Sequence, residues 1–157
     1  MKVILQRCLE ASVIVDNKCV DKIDKGLMIL VGFTDGDSIK EINYMVDKII
    51  NLRIFDDVNG VMNRSLLDVD GSILSISQFT LYADARKGRR PSYVKALRGE
   101  DSLVLYNLFN DSLRRKLNEL NSHSVVEEGI FGADMKVKFT NDGPVTIVLE
   151  KEGDNNG

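Results

Sequence analysis

The sequence predicts an α+β fold: a curved, mainly antiparallel, barrel-like sheet covered by two long helices. Three observations predict it. Short apolar runs alternate with turn residues through the first third of the chain, at hairpin spacing. Two later segments carry apolar residues at helical spacing, and strand-like runs return near the end. At 157 residues the chain suits one domain, expected over residues 1–151, with a polar and disordered tail over 152–157.

The elements follow in order. Val3-Ile4-Leu5, Ala11-Ser12-Val13-Ile14-Val15 and Cys19-Val20-Asp21-Lys22-Ile23 read as strands, with Asp16-Asn17-Lys18 as a hairpin turn. Gly26 opens Leu27-Met28-Ile29-Leu30-Val31, a run apolar on both faces and therefore a central, covered strand. Ser38-Ile39-Lys40-Glu41 fits a capping box. It launches a helix with Ile39, Ile42, Met45, Val46, Ile49 and Ile50 on one face. Arg53-Ile54-Phe55 is a short strand, and Asn59-Gly60 signals a turn.

Ile73-Leu74-Ser75-Ile76-Ser77-Gln78-Phe79 is a second strongly apolar strand, ending in a polar cluster. Asp101-Ser102 is the expected cap of a second helix, in which Leu103, Tyr106, Phe109 or Asn110, Leu113, Leu117 and Leu120 recur at helical spacing. Arg114-Arg115-Lys116 suits the negative end of that helix. Met135 to Phe139 and Val145 to Leu149 read as the last strands.

Composition narrows the chemistry. No run of about 18 apolar residues is present, so no membrane span is expected, and the first residues read as a strand of a cytoplasmic protein. Cys8 and Cys19 lie in strand-like segments and read as small core residues. With one histidine and no paired-cysteine spacing, neither a metal nor another cofactor is expected. A formal charge of −3 opposes nucleic-acid binding driven by global charge. Any RNA contact must be local, and the stretch Arg86 to Arg98 offers six basic residues without an acid.

Two short stretches concentrate the chemistry. Ser77-Gln78-Phe79-Thr80-Leu81 places two hydroxyls and an amide at the end of an apolar strand, where buried polar groups are costly unless paired. Asn141-Asp142-Gly143-Pro144-Val145-Thr146 sets a Gly-Pro bond immediately before another strand. His123, between Ser122 and Ser124, reads as a solvated linker residue, so Ser-His-Asp and Cys-His catalysis lack their base. Thr80 has no neighbouring base to activate it as a nucleophile. The segment can instead supply backbone N–H groups to a developing oxyanion, or be satisfied by its own backbone. X-Pro statistics alone favour a trans Gly143-Pro144 bond.

These motifs, with Leu5-Gln6-Arg7, Gly26 to Gly32, Lys87-Gly88-Arg89-Arg90-Pro91-Ser92 and Phe131-Gly132-Ala133-Asp134-Met135, resemble the D-aminoacyl-tRNA deacylases in order and spacing over roughly residues 1–150. These editing enzymes free tRNA from wrongly attached D-amino acids. The resemblance implies a homodimer acting on the 3′ acceptor end of aminoacyl-tRNA. It implies that Ser77, Gln78, Phe79 and Thr80 form the catalytic strand end, and that Gly143-Pro144 is cis and enters the partner's active site. There it would exclude the side chain of an L-amino acid, leaving glycyl-tRNA as a second substrate.

By the same likeness Arg7 braces the Gly-Pro loop, a surface ion pair being its other reading, and Phe131 and Met135 line the substrate entrance or simply fill core. Arg86, Lys87, Arg89 and Arg90 would meet the tRNA backbone. The chain departs from the family pattern at Leu97-Arg98-Gly99-Glu100-Asp101, which lacks the usual alanines and proline, and at Asp21, where glycine is frequent. The rival readings are a non-catalytic, dimeric tRNA-binding module and a small-molecule esterase or amidase, which the missing histidine disfavours.

Overall fold

A computed structural model describes residues 1–153. Its first strand, β1 (Lys2–Val15), is continuous where two were expected. Asp16 and Asn17, both at positive φ, turn it into β2 (Lys18–Ile23), and the chain then enters β3 (Gly26–Gly32). β2 and β3 lie along one edge of β1, both antiparallel to it. Leu27 and Ile29 are fully buried, each stabilising the fold by about 2 kcal/mol.

Helix α1 (Ile39–Asn51) starts at the expected capping box. The Ser38 N–H donates to Glu41 Oε2 at 2.7 Å, and the Ser38 hydroxyl accepts from the Lys40 N–H at 3.3 Å. Ile42, Met45, Val46, Ile49 and Ile50 are buried as expected, whereas Ile39, in the first turn, is exposed. The short strands β4 (Phe55–Asp56) and β5 (Met62–Arg64) form a hairpin through Asn59-Gly60. A single helical turn, α2 (Leu66–Val69), follows; Ser65 and Asp68 form its capping box, the one local signal in a segment too short for periodicity.

β6 (Ser72–Ser77) pairs parallel with β3, and β7 (Val126–Glu128) pairs parallel with β6. The sheet is therefore mixed, with antiparallel pairing around β1 and parallel pairing beyond β3. The expected strand ends two residues early: Gln78 leaves it and Phe79–Tyr82 forms a 3-10 turn. The helix α3 (Gly99–Glu119) begins before its expected cap. Arg98 is the N-cap, in extended conformation, while Asp101 and Ser102 lie in the first turn. Tyr106, Phe109, Asn110, Leu113 and Leu117 face the core, and Leu120 is exposed beyond the last turn.

The last two expected strands are one, β8 (Lys136–Glu150), which runs antiparallel along the other edge of β1. Helices α1 and α3 cover one sheet face over a core that includes Val3, Leu5, Leu27 and Ile29. The other face gathers Cys8, Ala11, Val13, Met28, Leu74 and Ile76. Cys8 is core as expected, and burial pushes its thiol up to about 11. Cys19 corrects the expectation: it is exposed on β2, a strand at the end of the sheet whose buried residue is Ile23. The expected tail falls partly on Glu152 and Gly153, which have no regular structure, and otherwise on residues 154–157, outside the described residues.

Candidate active site

The parallel pairing of β3 with β6 brings two strand ends together and opens a cleft of about 560 Å³ above them. Val31 and Gly32 end β3 at its base, and Ser77, Gln78 and Phe79 form one wall. The opposite side consists of Phe131 to Met135, and the start of α3, Leu97 to Ser102, closes the end. Thus Ser77, Gln78, Phe79, Phe131 and Met135, far apart in sequence, meet around one space. Thr80 lies on the following 3-10 turn, exposed to solvent, and is not among the residues that line the cleft.

The wall is fixed from behind. The Gln78 N–H donates to the Val31 carbonyl at 2.7 Å, holding the chain where it leaves the sheet. The buried Tyr106 hydroxyl donates to the Ser75 carbonyl at 2.7 Å, and its ring lies 5.9 Å from that of Phe131. One residue of α3 therefore contacts both walls. Gln78 makes no side-chain cap for the turn, so the leading N–H groups of Phe79 and Thr80 have no capping acceptor. The Gln78 side-chain amide instead donates to Thr80 Oγ1 at 2.6 Å. An amide N–H donor cannot deprotonate that hydroxyl. His123 is exposed between α3 and β7 and does not line the cleft.

The second motif forms a bulge on β8. Gln6 faces Thr146 and Cys8 faces Asn141, so Arg7 alone stands opposite Asp142, Gly143, Pro144 and Val145. Asn141 staples the bulge: its Oδ1 accepts from the Val145 N–H at 3.1 Å, and its Nδ2 donates to Thr146 Oγ1 at 3.2 Å. The Gly143-Pro144 bond is cis, against the bare X-Pro statistics, and both residues are exposed. Within the chain they lie outside the cleft lining.

Arg7 is buried beneath this bulge. Its Nε donates to the Asp142 carbonyl at 3.1 Å and its Nη1 to the Ile54 carbonyl at 2.8 Å. Asp56 and Asp142 add ion pairs at 3.2 and 3.5 Å. The brace therefore reaches one carbonyl of the loop, and the surface-ion-pair reading fails on burial.

The basic segment is a loop closed by paired backbone bonds between Asp84 and Ser92, with Lys87, Arg89 and Arg90 exposed at its tip. Arg86, also exposed, has a partner within the loop. Its guanidinium grips Asp84 at 2.9 and 2.7 Å and holds that carboxyl well below the usual range. Arg98, at the other end of the basic stretch, does line the cleft. Its position follows from the early start of α3, which helical periodicity does not mark.

An α+β fold with hydroxyls and uncapped N–H groups at a strand end, and no histidine lining the cleft, has the equipment of an acyl-ester hydrolase working without a triad. Residues 4–150 match the family model for D-Tyr-tRNA(Tyr) deacylase, and the chain belongs to that family of hydrolases, which act on the ester bond of aminoacyl-tRNA. It is 49% identical over 152 residues to a D-aminoacyl-tRNA deacylase of Clostridium botulinum (strain Langeland / NCTC 10281 / Type F), covering 97% of this chain and 98% of that one. The corresponding protein of Flavobacterium psychrophilum is 51% identical, with the same coverage.

Among solved structures, a c-Myc DNA Unwinding Element Binding Protein superposes with a TM-score of 0.88 at 39% identity, over 98% of this chain and all of that one. A probable eukaryotic D-amino acid tRNA deacylase shares the fold with a TM-score of 0.77 at 20% identity, over 94% of this chain and 97% of the other.

Proposed function

We propose that this chain hydrolyses the ester between a D-amino acid and tRNA, rejects L-aminoacyl-tRNA, and accepts mischarged glycine. The observation that carries the reading is the meeting of Ser77-Gln78-Phe79 and Phe131-to-Met135 around one cleft, with the Gly143-Pro144 bulge exposed outside it. A homodimer reconciles the two: the bulge of one protomer enters the cleft of its partner. Among the described residues β8 pairs with β1 alone, and an edge left unpaired along a 15-residue strand calls for a cover. Val148 on that strand is 64% exposed, which suits burial against a second copy.

In the cleft the ester carbonyl sits against the N–H groups of Phe79 and Thr80, which stabilise its oxyanion as water attacks. The new bond joins the water oxygen to the carbonyl carbon. The bond to the ribose oxygen breaks, and that oxygen takes a proton. The neighbouring 2′-hydroxyl of the terminal adenosine assists the proton transfers, since Thr80 receives a donor from Gln78 and faces no base. Gly143 and Pro144 of the partner occupy the side of the substrate Cα where an L side chain would project. Selection is then by exclusion. Lys87, Arg89 and Arg90 neutralise backbone phosphates without reading bases. The enzyme works in the cytoplasm, with charged tRNA.

The test is a deacylation assay on D-tyrosyl-, L-tyrosyl- and glycyl-tRNA. The first and third are hydrolysed and the second is spared. Binding with no turnover on all three would establish the non-catalytic module instead. A tRNA ending in 2′-deoxyadenosine reacts far more slowly; normal turnover of it removes the assisting role of the 2′-hydroxyl.

A further inference from the structure

We propose that Arg98 is a substrate-contacting residue that takes the 5′-phosphate of the terminal nucleotide entering the cleft. The inference rests on the deacylase reading and adds a contact to it. The Arg98 guanidinium lies 4.3 Å from the ring centroid of Phe79 and 5.3 Å from that of Tyr93. Those rings meet edge to face at 5.3 Å. The backbone fixes this cluster on both sides of Arg98. The Leu97 N–H donates to the Phe33 carbonyl at 2.9 Å, and Gly99, at φ +69°, turns the chain into α3.

Among the described residues no carboxylate pairs with Arg98, whereas Arg86 is held by Asp84. Stacking on aromatic rings engages the face of a guanidinium and leaves its N–H donors, which lie in the plane, available for a phosphate. The stack also orders the side chain in advance, reducing the entropy lost on binding. Phe79 belongs to the same wall as Ser77 and Gln78, so this cation stands beside the position of the ester.

The chemistry of the substrate selects the ligand. Esterification removes the α-carboxylate and the free amine is cationic near neutral pH, so the part of the amino acid common to all substrates offers a guanidinium no anion. The nearest anion in aminoacyl-tRNA is the phosphate on the same ribose. The basic loop at Lys87 to Arg90 can meet phosphates farther along the strand, and Arg98 is the member of the basic stretch that lines the cleft itself.

The experiment compares adenosine with adenosine 5′-monophosphate, and D-tyrosyl-adenosine with its 5′-phosphorylated form, on the full chain and on Arg98→Ala and Arg98→Lys. The unaltered protein binds the monophosphate about tenfold more tightly than adenosine, as expected for one charge-assisted contact. Arg98→Ala loses that preference, and Arg98→Lys keeps part of it. In turnover, Arg98→Ala raises KM about tenfold more for the phosphorylated ester than for the unphosphorylated one, so the preference between the two esters is lost. Equal losses on both esters would reduce Arg98 to a packing residue and overturn the proposal. So would an undiminished preference in Arg98→Ala, or no measurable preference in the unaltered protein. The binding arm needs no turnover, so it separates failure of this contact from failure of the deacylase reading.

Discussion

Arg7 Nε donates to the carbonyl oxygen of Asp142 at 3.1 Å, across a break in the register between β1 and β8. The same guanidinium bonds the Ile54 carbonyl, so one buried side chain ties the Gly143-Pro144 bulge to the entry of the β4–β5 hairpin. Arg7→Lys keeps the charge but not the fork, which leaves a buried carbonyl without its donor. A loss of about 2 kcal/mol is expected, read as a lower urea midpoint. Deacylation should fall further than stability, because the bulge loses its brace.

Gly143 allows a second test. At φ +125° an added Cβ would lie 2.9 Å from Val145 Cγ2 and 3.1 Å from Arg7 Nη2. Gly143→Ala is therefore expected to cost about 1–2 kcal/mol through backbone strain, in addition to any effect on the substrate. The informative quantity is the ratio of D- to L-aminoacyl-tRNA hydrolysis in the folded fraction. Full activity with unchanged rejection of L substrates would move discrimination to Phe131 and Met135.

Thr80→Ala separates positioning from nucleophilic attack. Its hydroxyl accepts from the Gln78 amide and has no base beside it, so substantial activity should remain. A fall of about 10⁴-fold in kcat with the fold intact would be the signature of a nucleophile, on the scale of losing a triad member.

Charge reversal at Arg89 and Arg90 should weaken tRNA binding equally across tRNAs. Both are exposed at the tip of the basic loop, where a phosphate backbone can reach them. Each phosphate contact contributes a log–log salt slope of about −0.9 on duplex or about −0.7 on a single strand. The double variant should flatten the slope by one to two such contributions; an unchanged slope places the RNA on another surface.

The α1 cap gives a pH-dependent prediction. Burial alone would raise the Glu41 carboxyl, but the Ser38 hydroxyl and N–H outweigh it and hold it below its ordinary value. A depressed folded-state value means that the stabilisation is present above the unfolded pKa of about 4.3 and lost as pH falls through the lower folded value. Glu41→Gln should therefore cost about 1 kcal/mol at pH 7, and the difference should shrink in denaturation curves taken on acidification toward pH 3.

Element types were legible along the chain wherever the signal was local. The capping box at Ser38, the apolar run from Leu27, the turn at Asp16-Asn17 and the helical spacing from Tyr106 to Leu117 each depend on neighbours within one or two turns of chain. The motif residues were equally legible as residue types, because two hydroxyls and an amide at an apolar strand end demand partners.

What those residues face follows from long-range packing. That β6 pairs parallel with β3, that Phe79 leaves the strand, and that Phe131 closes the far wall all depend on contacts between segments dozens of residues apart. The Arg7 brace shows the reason most plainly. A single arginine in an apolar strand specifies no partner, and the carbonyls that satisfy it belong to positions 47 and 135 residues away. Burial and pairing select those contacts once the chain has folded, through interactions that no periodicity along the sequence encodes.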